Sequence, residues 1–329
     1  MKTLEEVLQE LKQIEKSRQD IVLPMKSLRV HEDLRINSDT YGQFDVSEPS
    51  VKKLCNRYGL SHSHIDTLIK NERRDLVAET FNHFLKHDDK PMKIRTVGGD
   101  RIKGIVEKDY QPFDDYDVFT QVNEFVGKYG LDYRVEIVNK DDEFTRVRLM
   151  INDISRNMGM AHEGGIDRDI VQGGFEITNS EIGSKMGINS LVYRQVCSNG
   201  MMGLITDEEN KEIFYKRGKD FNPFSRVPAM NRGVMNAIDK SDSNIKLFRK
   251  TRDISIESPE DEFIRIGRRY NLGKIHVEGM QESYKIEPQN NLYSIINSVT
   301  RYSTGFKKDY STRSKFEFVA NDMLEKVGS

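Results

Sequence analysis

The chain has no tryptophan, two cysteines and eight prolines in 329 residues. Each shortage excludes something. Cys55 and Cys197 cannot build the disulfide framework of a small secreted domain and form no Cys-x-x-Cys unit, so a reducing compartment is expected. The most apolar windows, 175–177 and 190–196, are strand-sized, far short of the roughly 18 apolar residues of a membrane span. Residues 1–20 alternate charge with Leu and Val and have no signal-peptide apolar stretch, so export by that route is not expected. Charge of one sign is also lacking: 51 Lys and Arg face 53 Asp and Glu, for a formal charge of −2. That excludes a globally basic protein held to polyanions by net charge, and any nucleic-acid site must be a local patch.

What is present argues for a folded, hydrophilic protein. Although only 36% of residues are hydrophobic and 32% are charged, 16 Phe and 13 Tyr supply large apolar surface, against the composition of disorder. Leu4, Val7, Leu8, Leu11 and Ile14 fall on one face of a helix over residues 2–19. Its stripe packs on its own domain or joins copies of the chain. Ser47, Glu48 and Pro49 open a short helix that Gly59 stops, and helical intervals continue from Ser61 to Leu85 with a break near Asn71. The order superficially resembles a helix-turn-helix, but His62, His64, Asp66 and Glu72 suit phosphates poorly, and a packed helical pair is the better reading. From Pro91 the period becomes two. A hairpin over 92–106 turns at Gly98-Gly99-Asp100, a helix covers 114–128, a second hairpin pairs 133–138 with 146–151, and strands follow at 173–178 and 191–197. Helices are expected at 229–250, 259–270, 289–301 and 312–327. The fold class is therefore α+β: an antiparallel or mixed sheet with helical parts at both ends. The expected division is a helical region 1–90, a sheet-forming core 91–205 and a helical C-terminal region 206–329, possible as one continuous domain with the core.

No motif of high catalytic specificity appears. Cys197 has no histidine in its segment to act as base, and His162-Glu163 lacks the second His of a metalloprotease helix because Ile166 stands there. Gly98-Gly99 and Gly164-Gly165 lack P-loop spacing and lysine, so no nucleotide cofactor is indicated. Asp114, Asp115 and Asp117, with Glu107 and Asp109, could offer oxygens to Mg²⁺, but they share no helix face and suit a helix cap and first turn better. No cofactor or metal is expected. Two strand-end segments, 173–181 and 193–200, place small polar residues where they could present donors to an anion, or simply form turns. Residues 211–315 hold 21 Lys or Arg against 13 Asp or Glu. Their last clusters interleave cations with tyrosines, the pattern of a single-strand groove.

The runs GGFEITNSEIG (173–183), LVYRQVCSNGM (191–201), LYSIINSVTRYS (292–303) and DYSTRSKFEFVANDML (309–324) resemble a phage- and plasmid-borne family, domain of unknown function 932. DLVAETFNHFL (75–85) and IRTVGGDRIKGIVEKDYQPFDDYDVF (94–119) are similar to its N-terminal half, so the resemblance spans roughly 51–325. It carries over no residue role. It implies a mobile-element product acting in the host cytoplasm. The leading expectation is a nucleic-acid-binding protein for single-stranded DNA binding or annealing, without a membrane role. Asn179, Ser180, Arg194, Ser198, Asn199, Arg268, Arg269, Arg301, Lys307, Lys308 and Arg313 would meet phosphates, while Tyr270, Tyr302 and Tyr310 would stack on bases. The alternatives are an interaction protein that binds a host factor or self-assembles through residues 2–19, and a metal-dependent nucleotide-processing enzyme.

Overall fold

The N-terminal helix forms over Leu4–Lys16 (α1) behind a capping box. The Glu6 amide donates to the Thr3 hydroxyl at 3.2 Å and the Thr3 amide to the Glu6 carboxylate at 2.8 Å, satisfying two amides that a helix start otherwise leaves open. The computed structural model describes residues 2–160, 168–183, 186–195, 199–204, 222–307 and 309–328. Outside them lie His162, Glu163, Gly164, Gly165, Ile166, Cys197, Ser198, Lys308 and the 216–219 cluster, and with them the side chain of Asn199. Leu4, Val7 and Leu11 of α1 are buried in a core shared with Phe119 and Val122. The stripe thus packs on its own domain, one of the two arrangements the sequence left open.

Residues 19–107 then build a six-stranded mixed sheet. Its strands are β1 (Gln19–Pro24), β2 (Leu28–Val30), β3 (Ile36–Ser38), β4 (Gly42–Val46), β5 (Pro91–Val97) and β6 (Arg101–Glu107), in the order β1-β5-β6-β4-β3-β2. The first four were not anticipated: two have three residues, too few for a period-two signal. Because β1 pairs with β5, the expected division at residue 90 falls inside this sheet. The 92–106 hairpin is present and turns through Gly98 and Gly99 at φ 69° and 86°, backbone that glycine adopts without steric cost. Helices α2 (Glu48–Tyr58), α3 (His62–Lys70) and α4 (Arg74–Leu85) cover one face through Leu54, Ile65, Val77 and Phe81. They form the packed helical layer that the sequence favoured over a DNA-reading pair.

A second, antiparallel sheet has the order β11-β10-β9-β8-β7, from β7 (Tyr133–Lys140), β8 (Thr145–Met160), β9 (Arg168–Asn179), β10 (Met186–Arg194) and β11 (Asn199–Leu204). One face packs Leu149, Phe175, Ile177 and Ile188 against α1, α5 (Asp115–Lys128) and the front of α6 (Val227–Lys250). The rear of α6 joins α7 (Pro259–Arg269), α8 (Lys274–Tyr284), α9 (Leu292–Ser303) and α10 (Tyr310–Gly328) in a second core around Phe248, Phe263, Ile296 and Phe316. Only α8 was not expected: Gly273 precedes it without a side-chain cap. With ten α-helices among the described residues and one mixed and one antiparallel sheet, the fold is α+β with helices at both ends. None of the described helices is long and apolar enough to cross a membrane.

Candidate functional site

The two sheets meet at a buried ionic junction. Arg95, on β5, grips Asp114 with two parallel bonds of 2.8 Å and reaches Asp20 at 2.9 Å. Arg18 reaches Asp114 at 2.7 Å and also pairs with Glu181, whose other oxygen holds Lys103 of β6. Asp115 accepts from Asn179 at 2.7 Å and from the Thr145 hydroxyl. Burial would raise the Glu181 carboxyl, but Lys103 and Arg18 outweigh it and hold the group well below the usual carboxylate range. Burial, with Glu181 alongside, pushes Asp115 the other way. Paired carboxylates with opposed shifts are characteristic of functional and of architectural ion networks alike. Here Arg18, Arg95 and Lys103 from the side of the first sheet meet Asp114 and Glu181 from the side of the second, and the junction is architecture. Asp114 spends its side chain on arginines, not on capping α5, and the acidic cluster does not converge: no group of described residues is arranged to hold a metal ion.

Several of the residues expected at a nucleic-acid surface are buried or half-buried against partners inside the protein. Arg194 is 3% exposed and makes two bonds each to Asp169 (2.7 and 3.0 Å) and Glu287 (2.7 and 3.1 Å). Arg301 pairs with the same Glu287 and donates to the Ser283 carbonyl at 3.0 Å. Arg313 bonds Glu317 at 3.0 Å, and Tyr310 is buried against Arg148 and Glu176. Arg148, fully buried, ties Glu176 of β9 to Glu317 of α10 at 2.6 to 2.9 Å. Asn179 holds Asp115, and Ser180 accepts from the Gly183 amide at 2.7 Å, the turn reading of that segment. Tyr302 is half-buried, bonded to His276 at 2.9 Å and edge-on to Phe316. Arg194, Arg301, Arg313, Tyr310, Tyr302, Asn179 and Ser180 are therefore corrected from surface contacts to internal ones. Each meets a partner inside the chain, distant in sequence for Arg194, Tyr310 and Asn179 and local for Arg313 and Ser180.

Arg268, Arg269 and Lys307 are exposed, with no ion pair among the described residues. Arg265, Arg268 and Arg269 follow the i, i+3, i+4 spacing of one helix face, opposite the buried Phe263 and Ile266. Just beyond, the half-buried Tyr270 ring has the Arg269 guanidinium at 5.8 Å and the Lys326 ammonium at 5.5 Å from its centre. Its hydroxyl donates to Asp322 of α10.

A cleft of about 700 Å³ lies elsewhere and was not anticipated. It runs along Gly104–Glu107 of β6, between Lys52, Lys53 and Asn56 of α2 and the 182–183 loop, with Glu143 from the β7–β8 turn. No sequence pattern marks it, because its lining comes from four separate segments. No family model matches the chain, and no curated protein or solved structure is significantly similar to it.

Proposed function

We propose that this protein binds nucleic acid, with single-stranded DNA as the favoured ligand, through the exposed face of α7. One observation carries the reading: Arg268 and Arg269 are exposed, unpaired among the described residues, and set beside Tyr270. Cations not already neutralised by carboxylates are the ones that can release counterions from a phosphate backbone. Guanidinium planes and tyrosine rings are surfaces on which unstacked bases lie. The buried and half-buried arginines are engaged by carboxylates inside the chain, so the footprint is smaller than the sequence suggests. A phage or plasmid origin and action in the host cytoplasm belong to the same proposal and rest on the family resemblance alone.

Fluorescence anisotropy with labelled single-stranded and duplex oligonucleotides, titrated at several salt concentrations, tests it. If both arginines meet phosphates, Arg268→Ala with Arg269→Ala lowers the magnitude of the log–log salt slope by about 1.4 on single strands. Affinity and slope unchanged in that variant, with the fold intact, remove the proposal.

A further inference from the structure

Another pocket, of about 350 Å³, lies between α1 and β7, within the size of ordinary small-molecule sites. Its walls are apolar: Val7, Leu11 and Ile14 from the helix, Val135 and Val138 from the strand. The helix stripe turns the first three to one side. The two valines, three positions apart, would lie on opposite faces of a regular strand, but β7 shifts register between Val135 and Ile137. Val135 is thereby opposite Leu149 and Val138 opposite Val147, so both valines share the face that α1 covers. The charged residues along the walls are already engaged. Lys2 pairs with Glu10 at 2.7 Å, and Glu136 accepts from Arg134 at 3.1 Å and from the Tyr193 hydroxyl at 2.7 Å.

Lys140 and Thr145 give the pocket a polar end. Lys140, Thr145 and Asn179 stand side by side on β7, β8 and β9, because Lys140 is opposite Thr145 and Thr145 opposite Asn179. Asp115, 1% exposed at the start of α5, reaches onto this row. One of its oxygens accepts from Asn179 at 2.7 Å and the other from the Thr145 hydroxyl. Lys140 Nζ stands 3.6 Å from that second oxygen, too far for a hydrogen bond, and it makes none among the described residues. Burial draws the Lys140 amine below the ordinary lysine value; Lys103 and Arg18 add to the effect, while Asp115 and Glu181 oppose it.

These surroundings favour an uncharged ligand with an apolar body. An anion at the polar end would face Asp115 and Glu181, and a cation would face Lys140, Lys103 and Arg18. A carbonyl avoids both conflicts and is electrophilic where the amine is nucleophilic. A lysine partly withdrawn from water beside apolar walls is the form in which this side chain attacks carbonyls. We propose that the pocket takes up a small aliphatic aldehyde, its tail between α1 and β7, and that Lys140 captures the carbonyl carbon as a reversible imine. The nitrogen lone pair forms the C–N bond while the carbonyl π pair passes to oxygen. Oxygen then leaves as water, carrying the protons that nitrogen gives up, and hydrolysis reverses the step.

The test treats the full chain with pentanal or acetaldehyde and sodium cyanoborohydride, which reduces an imine to a stable secondary amine, and reads each lysine by peptide mass spectrometry. Lys274, whose side chain is 89% exposed, is the internal standard. The pentanal-to-acetaldehyde labelling ratio at Lys140 should exceed that at Lys274 about tenfold, through partial burial of the extra methylenes. Val138→Trp, a change at a 36% exposed position that fills the pocket, should return the ratio to that of Lys274. Acetaldehyde labelling of Lys140 should also reach half its plateau at a lower pH than that of Lys274. Equal ratios at the two lysines, a ratio that Val138→Trp leaves unmoved, or superimposed pH profiles each overturn the proposal. Shielding of Lys140 from acetaldehyde by pentanoate, with no pentanal adduct, assigns the pocket to a carboxylate and overturns the carbonyl reading.

Discussion

Replacing Arg194 with methionine separates two roles that a cation can have. Its guanidinium joins Asp169 to Glu287 through four bonds of 2.7 to 3.1 Å. Without it, Asp169 keeps Arg252 and Tyr293, and Glu287 keeps Arg301. Breaking a buried ion pair costs about 3–5 kcal/mol, and the surviving partners place Arg194→Met near the lower end. Arg148→Met belongs near the upper end of that range, about 5 kcal/mol, because Glu176 is then left with hydroxyl partners, Tyr310 and Thr178, and no cation. Urea unfolding followed by far-UV circular dichroism measures both, the chain having no tryptophan to report by fluorescence. The Arg148→Met deficit carries a pH signature. A buried carboxylate stripped of its cation has a folded pKa above its unfolded value of about 4.3, so its penalty is full at high pH and fades as pH falls through the raised folded value. The deficit should shrink as pH falls. The salt slope of oligonucleotide binding should not change in Arg194→Met. An unfolding free energy within about 0.5 kcal/mol of the parent, together with a slope reduced by about 0.7, would show that Arg194 meets phosphate and that its buried pairing is misread.

Leu4→Ala removes a fully buried side chain from the core that α1 shares with α5. It is expected to cost about 2–5 kcal/mol; thermal melts and sedimentation check this, and a lost oligomer with unchanged stability would contradict it. Gly104→Ala drives a methyl into Ile182 and should destabilise the fold by about 1–3 kcal/mol. Ile182→Ala in the same chain should recover part of that loss, which a steric cause requires. Glu181 is held below the usual carboxylate range once Lys103 and Arg18 have outweighed its burial. A depressed acid contributes stability present above its unfolded pKa and lost as pH falls toward the folded value. Lys103→Met should therefore raise the midpoint of acid unfolding, and an unmoved midpoint would remove Glu181 from the account of acid stability.

Elements with long apolar periods were legible. The stripes of α1, α6 and α10 and the hairpins at β5–β6 and β7–β8 lie where period and turn residues place them. Strands β2 and β3 were not, because three residues give no period; they are held in a short meander in which β2 pairs with β3 and β3 with β4. The cleft beside β6 was illegible for a related reason. It exists where β4 stops pairing after Val46, and no local residue type announces where a ladder ends.

The arginines went astray more instructively. Arg148 lies in VRLMI and Arg194 ends LVYR, runs whose other residues are buried apolar side chains on both faces of a central strand. A cation there cannot stay unpaired, since an uncompensated buried charge costs several kcal/mol. Its carboxylates arrive from far along the chain: Glu317 is 169 residues from Arg148, and Glu287 is 93 from Arg194. Composition counts such arginines toward a basic patch, whereas their setting in an apolar strand already argues that they are neutralised. By the same logic Arg268 and Arg269, on the polar face of an amphipathic helix with no ion pair among the described residues, are among the cations that an external anion could reach.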